Sequence, residues 1–119
     1  MQPQTKPRII LANAFSLSML SKLPALIRVE EISVSEVKQL LAHGFESAIG
    51  HESTAKLLSQ LLGVEVPVKR VMVTLEQSTT LIVFQLLERL PEGKILSETE
   101  LKELIQKGKA KFLKVQLVQ

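Results

Sequence analysis

The sequence predicts an α/β fold of mixed α and β character, a single domain in which a mixed sheet of about five strands is flanked by helices. Three observations predict it. The length of 119 residues fits one domain with one core. The apolar content of 45% is sufficient to fill that core, and with four Phe, no Tyr and no Trp the core must be aliphatic. Short strand-like runs also alternate with amphipathic segments, as in α/β proteins.

The domain is expected to cover residues 8–119, after a polar, proline-containing head of residues 1–7. The predicted strands are residues 8–13, 25–29, 70–75, 80–87 and 109–118, with a short extended segment at 45–49. The polar turn at 76–79 predicts a hairpin between the two strongest strands. The nearly continuous apolar run of 80–87 is typical of a central strand. Lysines in the last strand favour an outer position protected against aggregation, with phosphate binding as the alternative.

Capping residues predict the helices, which are residues 36–41, 51–62 and 97–107. Ser33 and Ser35 are both candidate N-caps for the first helix. Gly63 is expected to end the second helix. Ser97 and Glu100 have the spacing of a capping box at the start of the third.

Composition excludes several kinds of chemistry. The absence of Cys excludes disulfides and thiolate sites, and two His without a spaced carboxylate cluster make a metal centre or other cofactor unexpected. Neither a nucleophile elbow nor a phosphate-binding glycine loop is present. The net charge of +3 suits an anionic partner. Without a signal peptide or a membrane-length apolar run, we expect a cytoplasmic protein with no membrane partner.

The stretch Gly50-His51-Glu52-Ser53-Thr54 predicts an anion site. Unpaired N–H groups and the positive end of the dipole at a helix start favour negative charge. A histidine there can transfer a proton to or from a bound group. The alternative is structural: His51 as an ordinary polar residue at a helix start, with Ser53 and Thr54 as capping residues only.

Further polar residues are expected at the ends of strands. Alternation places Gln85 and Arg89 on one side of the central strand, and Asn13 ends the first strand. If these two strands are parallel and adjacent, the polar groups open onto one edge of the sheet, where ligands bind in open α/β folds. The alternatives are a hydrogen-bonded core amide for Gln85 and surface ion pairs for Arg70 and Arg89.

Four blocks resemble the viral ring nuclease family, also called type III anti-CRISPR ring nucleases. They are Leu11-Ala-Asn-Ala-Phe-Ser16, Ile49-Gly-His-Glu-Ser-Thr54, Arg70-Val71 and Arg89-Leu-Pro-Glu-Gly-Lys-Ile-Leu96. They follow the family's order and spacing over nearly the whole chain. Pro91 departs from the family pattern and would stiffen its loop. Members of that family degrade cyclic tetra-adenylate, the messenger of type III CRISPR defence, as homodimers with the ligand on the two-fold axis.

The resemblance implies a role for each matching residue. His51 would be catalytic, with Arg89 and Glu92 on a loop that closes over the ring. The implied substrate contacts are Asn13, Ser16, Ser53, Thr54, Arg70 and Gln85. The implied reaction needs no metal: a ribose 2′-hydroxyl attacks the neighbouring phosphorus, and two cuts give linear di-adenylates with 2′,3′-cyclic phosphate ends. If the source is viral, the protein would act in the host cytoplasm.

Two non-enzymatic alternatives remain open. A nucleic-acid-binding module suits the basic charge, but the chain lacks the aromatic platform and the dense Lys/Arg stripe of such modules. No stable DNA partner is therefore expected. A regulatory domain that binds cyclic oligoadenylate without cutting it is the other alternative.

Overall fold

The computed structural model describes residues 8–87 and 96–118. Within these ranges five strands and three α-helices confirm the predicted mixed sheet with flanking helices. The strands are β1 (Arg8–Ala12), β2 (Ile27–Ile32), β3 (Glu46–Ala48), β4 (Thr79–Leu86) and β5 (Ala110–Leu117). The helices are α1 (Val34–Leu41), α2 (Glu52–Leu62) and α3 (Glu98–Gln106). A short 3-10 helix, Leu17–Met19, lies in the segment 14–22, where the roughly helical spacing of Phe15, Met19 and Leu20 predicts a short helical turn or an ordered loop.

The strand order is β2-β5-β4-β1-β3. β1 is parallel to both β3 and β4, while β5 is antiparallel to β2 and β4. Four strands, β1 to β4, therefore run in one direction and end at the same edge of the sheet, which we name the carboxyl edge. Ala12, Ile32, Ala48 and Leu86 are the last residues of these strands.

The two faces of the sheet are covered differently. All three α-helices pack on one face, around buried residues such as Leu11, Ile82 and Phe112. The other face carries Ile10, Leu81, Val83 and Val115 and is covered by chain connections, including half-buried Phe15 and Val73. We name it the helix-free face because no described α-helix covers it, although Met19 of the short 3-10 helix packs there. Because β4 is buried on both faces over residues 79–84, its prediction as a central strand is confirmed.

The predicted strand at 70–75 and the hairpin to 80–87 are wrong. No strand is formed at 70–75; the segment crosses the helix-free face, where Val73 and Leu75 pack into the core. Both edges of β4 are already hydrogen-bonded, one to β1 and the other to β5. A preceding hairpin strand therefore has no free edge of β4 to pair with.

The predicted outer position of the last strand is also wrong, because β5 lies between β2 and β4. Its lysines have cross-strand partners instead. The ammonium of Lys114 lies 3.2 Å from a carboxylate oxygen of Glu30, and that of Lys111 lies 3.5 Å from Glu31. Both glutamates belong to β2, which is an edge strand of the sheet.

The helix ends follow the capping predictions. Ser33, not Ser35, is the N-cap of α1, and its hydroxyl accepts a hydrogen bond from the backbone N–H of Glu36 at 3.1 Å. Ser97 and Glu100 form the predicted capping box at the start of α3. Gly63 ends α2 with a φ of 70°, a left-handed conformation that glycine adopts without steric cost.

Candidate functional site

Helix α2 begins at the carboxyl edge, directly after β3. Ile49 is fully buried and anchors the turn in the core, whereas His51 is exposed. His51 is the N-cap residue, with extended backbone angles (φ −124°, ψ 128°), and its side chain makes no capping hydrogen bond. The imidazole therefore remains available for another partner.

The first turn of α2 presents backbone donors. The first intrahelical hydrogen bond runs from the N–H of Ala55 to the carbonyl of His51, at 3.0 Å. The N–H groups of residues 52–54 precede it and have no acceptor within the helix. Ser53 is exposed and Thr54 half-buried in this turn. These N–H groups and the positive end of the helix dipole suit an anion.

The segment 67–70 runs beside the turn and holds it. The hydroxyl of Ser47 donates to the carbonyl of Pro67, and Ile49 forms a parallel bridge with Val68. The N–H of Lys69 donates to the carbonyl of Ile49 at 2.8 Å. One residue further, Nε of Arg70 donates to the carbonyl of Gly50 at 3.0 Å. Successive contacts thus join residues 47–50, which lead to His51, to the segment 67–70.

Arg70 lies beside the helix start. Its side chain is exposed, and its contact with Gly50 places it next to His51. Lys69, the preceding residue, is exposed and its charge acts on Glu46. Glu52, in the first turn of α2, carries a negative charge, which the positive end of the helix dipole favours. The positive charge of Arg70 offsets the repulsion between Glu52 and an incoming anion.

Asn13 and Gln85 also lie at the carboxyl edge. β1 and β4 are parallel and adjacent, with Ala12 opposite Val83, which is the arrangement that the sequence argument required. Asn13 follows Ala12 and is half-buried. Gln85 is exposed at the end of β4, so the alternative of a core amide does not hold for it. By alternation Gln85 points to the helix-free face, as Val83 does.

The remaining predicted residues are placed less fully. Ser16 is exposed in the connection after β1, with its hydroxyl oxygen 2.7 Å from that of Ser18. Arg89 and Glu92 lie outside the described residues, and so does Pro91. The structure therefore brings Arg70, Ser53 and Thr54 close to His51, and sets Asn13 and Gln85 along the same edge.

Sequence reasoning missed the residues that hold the turn. Ser47 is 4% exposed and joins β3 to Pro67, across 20 positions of sequence. A serine in a short segment between Phe45 and Ile49 was the one available signal. Its partner is a backbone carbonyl, which no residue type reveals.

Over residues 8–87 and 96–118, no group of three or more His, Asp or Glu side chains is placed to hold a metal ion. No helix in these ranges is both long and apolar enough to cross a membrane.

A five-stranded mixed sheet with the three described α-helices on one face, and a helix start open at its carboxyl edge, defines a small α/β protein with a candidate anion site. The sequence profile of the STIV B116-like family matches residues 9–111, and the chain belongs to that family. B116 of Sulfolobus turreted icosahedral virus has a similar solved structure, with a TM-score of 0.79 and 31% identity. That similarity covers 92% of this chain and 98% of B116.

Relatives occur in archaeal viruses and in a bacterium. Uncharacterized protein 26 of Sulfolobus islandicus filamentous virus is 40% identical over 83 residues, which is 69% of each chain. Protein YddF of Bacillus subtilis is 36% identical over 93 residues, or 76% of this chain and 86% of YddF. The similarity thus extends across most of the sheet and helices.

Proposed function

We propose that the protein is a metal-independent ring nuclease that cleaves cyclic tetra-adenylate and thereby shuts off type III CRISPR signalling. The observation that carries the proposal is the exposed His51 imidazole at the start of α2, with Arg70 held beside it. Asn13 and Gln85 on the same edge add polar contacts for a ligand larger than one phosphate. The resemblance of four sequence blocks to ring nucleases supplies the substrate.

The proposed reaction is an internal transfer at phosphorus. The 2′-hydroxyl of one ribose releases its proton to solvent water as its oxygen attacks the adjacent phosphorus, and the bond from phosphorus to the 5′-oxygen of the next nucleotide breaks. Protonated His51 donates its proton to that leaving oxygen, a general-acid role worth about 10²–10⁴-fold in rate. Positioning supplies much of the remaining acceleration, because nucleophile and electrophile belong to one molecule.

The transition state carries extra negative charge on the phosphoryl oxygens. In the proposal, Arg70 and the N–H groups of the first turn of α2 stabilise this charge. Ser53 and Thr54 contact the same phosphate, while Asn13, Ser16 and Gln85 contact the nucleosides. Arg89 and Glu92 close over the ring, with Glu92 orienting His51, as the resemblance implies.

We further propose that two copies of the chain form a homodimer and bind one ring across the two-fold axis. A cyclic four-nucleotide ring has two equivalent opposite bonds, so a symmetric cleft offers two equivalent active sites. The helix-free face supports this assembly, because exposed apolar residues such as Val29, Val71 and Met72 lie on it or on its covering segment.

A binding protein without activity is the alternative. The exposed helix start with Arg70 beside it would suit a regulator that sequesters cyclic oligoadenylate or another nucleic acid equally well. Only turnover separates the two functions.

The direct test is to incubate the protein with cyclic tetra-adenylate in excess EDTA and to identify the products by mass spectrometry. We expect linear di-adenylate ending in a 2′,3′-cyclic phosphate. Stoichiometric binding of an intact ring would favour the regulator. Cleavage that EDTA abolishes would contradict the metal-independent mechanism, and a product with a 3′-phosphate formed directly would contradict attack by the 2′-hydroxyl.

A further inference from the structure

The carbonyl that Arg70 holds belongs to the peptide that joins Gly50 to His51. Nε of Arg70 donates to this oxygen at 3.0 Å, across 20 positions of sequence. A peptide unit is planar, so fixing its carbonyl oxygen also fixes the direction of the N–H of His51. The orientation of the backbone that carries the imidazole therefore depends on a side chain from another segment.

Gly50 makes room for this contact. A Cβ atom added at Gly50 would lie 3.3 Å from Cγ of Arg70 and 4.0 Å from its Nε. The first distance is shorter than ordinary van der Waals contact, so a methyl group at position 50 would displace the arginine stem by a few tenths of an ångström. Glycine thus leaves the space that the Arg70 side chain occupies.

The guanidinium can hold the peptide and still bind an anion. It has five N–H donors in a rigid planar fork, and the contact with Gly50 uses the one on Nε. The two terminal nitrogens remain for a phosphate. A lysine at position 70 has a single nitrogen on a flexible stem, so it cannot hold the carbonyl with the same geometry while binding a phosphate.

We infer that Gly50 and Arg70 form a positioning pair, in which the Nε contact sets the place of His51 and the missing side chain of Gly50 permits it. This inference rests on the proposed function for its catalytic consequence, and its structural part can be tested without activity. Gly50 touches no reacting atom, and its role is exerted through Arg70 and the following peptide.

The chain offers an activity-independent readout, because it has only two histidines. Imidazole resonances in a ¹H–¹³C spectrum of histidine-labelled protein can be assigned with His51→Ala and His43→Ala. We expect Gly50→Ala and Arg70→Lys to shift the His51 signal and leave the His43 signal in place. His43 lies in the turn after α1 and serves as an internal control for the fold.

The catalytic readout separates rate from affinity. In single-turnover cleavage of cyclic tetra-adenylate, Gly50→Ala should lower the rate about 10- to 100-fold while ring binding stays nearly unchanged. Arg70→Lys should weaken both rate and binding. Arg28→Lys makes the same exchange on β2, which is the outer strand farthest from β3, and should change neither the rate nor the binding.

A double-mutant cycle tests whether the two residues act through one contact. In the Arg70→Lys background, Gly50→Ala should have little additional effect on the His51 signal, because the contact it displaces is already lost. Full additivity, or an unmoved His51 signal in both single variants, would overturn the inference. If the wild type leaves the ring intact, the proposed function fails while the resonance shifts still decide whether the pair positions His51.

Discussion

Glu46 begins the strand that leads to His51, and its carboxylate is paired with the guanidinium of Arg8 on β1. Nε of Arg8 donates to Oε2 of Glu46, and a terminal nitrogen donates to Oε1 at 2.9 Å. This hydrogen bonding lowers the pKa of Glu46, and the charges of Arg8 and Lys69 lower it further. A carboxyl group whose pKa is lowered by folding stabilises the folded state only while it is ionised.

We therefore expect Glu46→Gln to change the acid sensitivity of the fold. The Glu46 contribution is complete above the unfolded-state pKa and is lost as the pH falls through the lower folded-state pKa. In urea titrations, the wild type should exceed the variant in stability near neutral pH, and the difference should shrink toward zero on acidification. Glu103→Gln removes a carboxylate from α3, outside this ion pair, as a control. A difference that grows on acidification would contradict the assignment.

The sequence predicted a helix start at His51 but could not predict which residues hold that turn in place. A glycine followed by polar residues signals a helix start, and this signal can be read from five consecutive positions. The bond from Arg70 to Gly50 depends on where a distant segment crosses the turn. Local patterns carry no information about such a crossing.

Among the helices, α1 offers a clean test of capping. Ser33→Ala removes the hydroxyl that accepts from the N–H of Glu36, and should cost about 1 kcal/mol of unfolding free energy. Ser35→Ala makes the same exchange within the helix, where alanine is the better helix former, and should be neutral or slightly stabilising. Urea unfolding of both variants is the measurement. Equal losses would show that the cap is not formed by Ser33.

The elements that sequence reasoning misplaced share one physical cause. Val71, Val73 and Leu75 alternate as in a strand, and the segment buries Leu75 and half-buries Val73 while leaving Val71 exposed. A strand also needs a free edge to pair with, and β4 has none because β1 and β5 occupy both sides. Alternation predicts which side chains are buried and leaves the pairing partner undetermined.

The lysines of β5 illustrate the same gap. Charged residues are typical of edge strands, yet Lys114 and Lys111 form ion pairs with Glu30 and Glu31 on the adjacent strand, β2. Those glutamates lie on β2, the strand that forms the actual edge. Charge patterns therefore indicated that an edge was near without identifying which strand forms it.

In the whole molecule, the helix-free face carries exposed apolar residues that suit assembly with a second copy. Met72 is 95% exposed and Val71 is 55% exposed on the segment that covers this face, and Val29 is 51% exposed on β2. On the helix-covered face, the central apolar residues are enclosed by α1, α2 and α3. The exposed apolar residues of the helix-free face are suited to a second copy related by two-fold symmetry.

We expect the double variant Val29→Glu, Met72→Glu to dissociate the proposed dimer. Two charges on each apolar surface would have to be buried unpaired in the interface, which is strongly unfavourable. Light scattering after size exclusion should give a dimer mass for the wild type and a monomer mass for the variant, with loss of ring cleavage. Gln39→Glu adds a charge on the helix-covered side and should remain dimeric. A monomeric wild type that cleaves the ring at full rate would contradict the assembly.

Replacement of the two histidines, one at a time, tests whether His51 is the general acid that protonates the leaving oxygen. Binding and single-turnover cleavage of cyclic tetra-adenylate should be measured for wild type, His51→Ala and His43→Ala. We expect His51→Ala to bind the ring nearly as tightly as wild type but to cleave it about 10²–10⁴-fold more slowly, whereas His43→Ala should bind and cleave the ring like wild type. Undiminished cleavage by His51→Ala would contradict the assignment of His51 as proton donor, because the leaving oxygen would then receive its proton from another group.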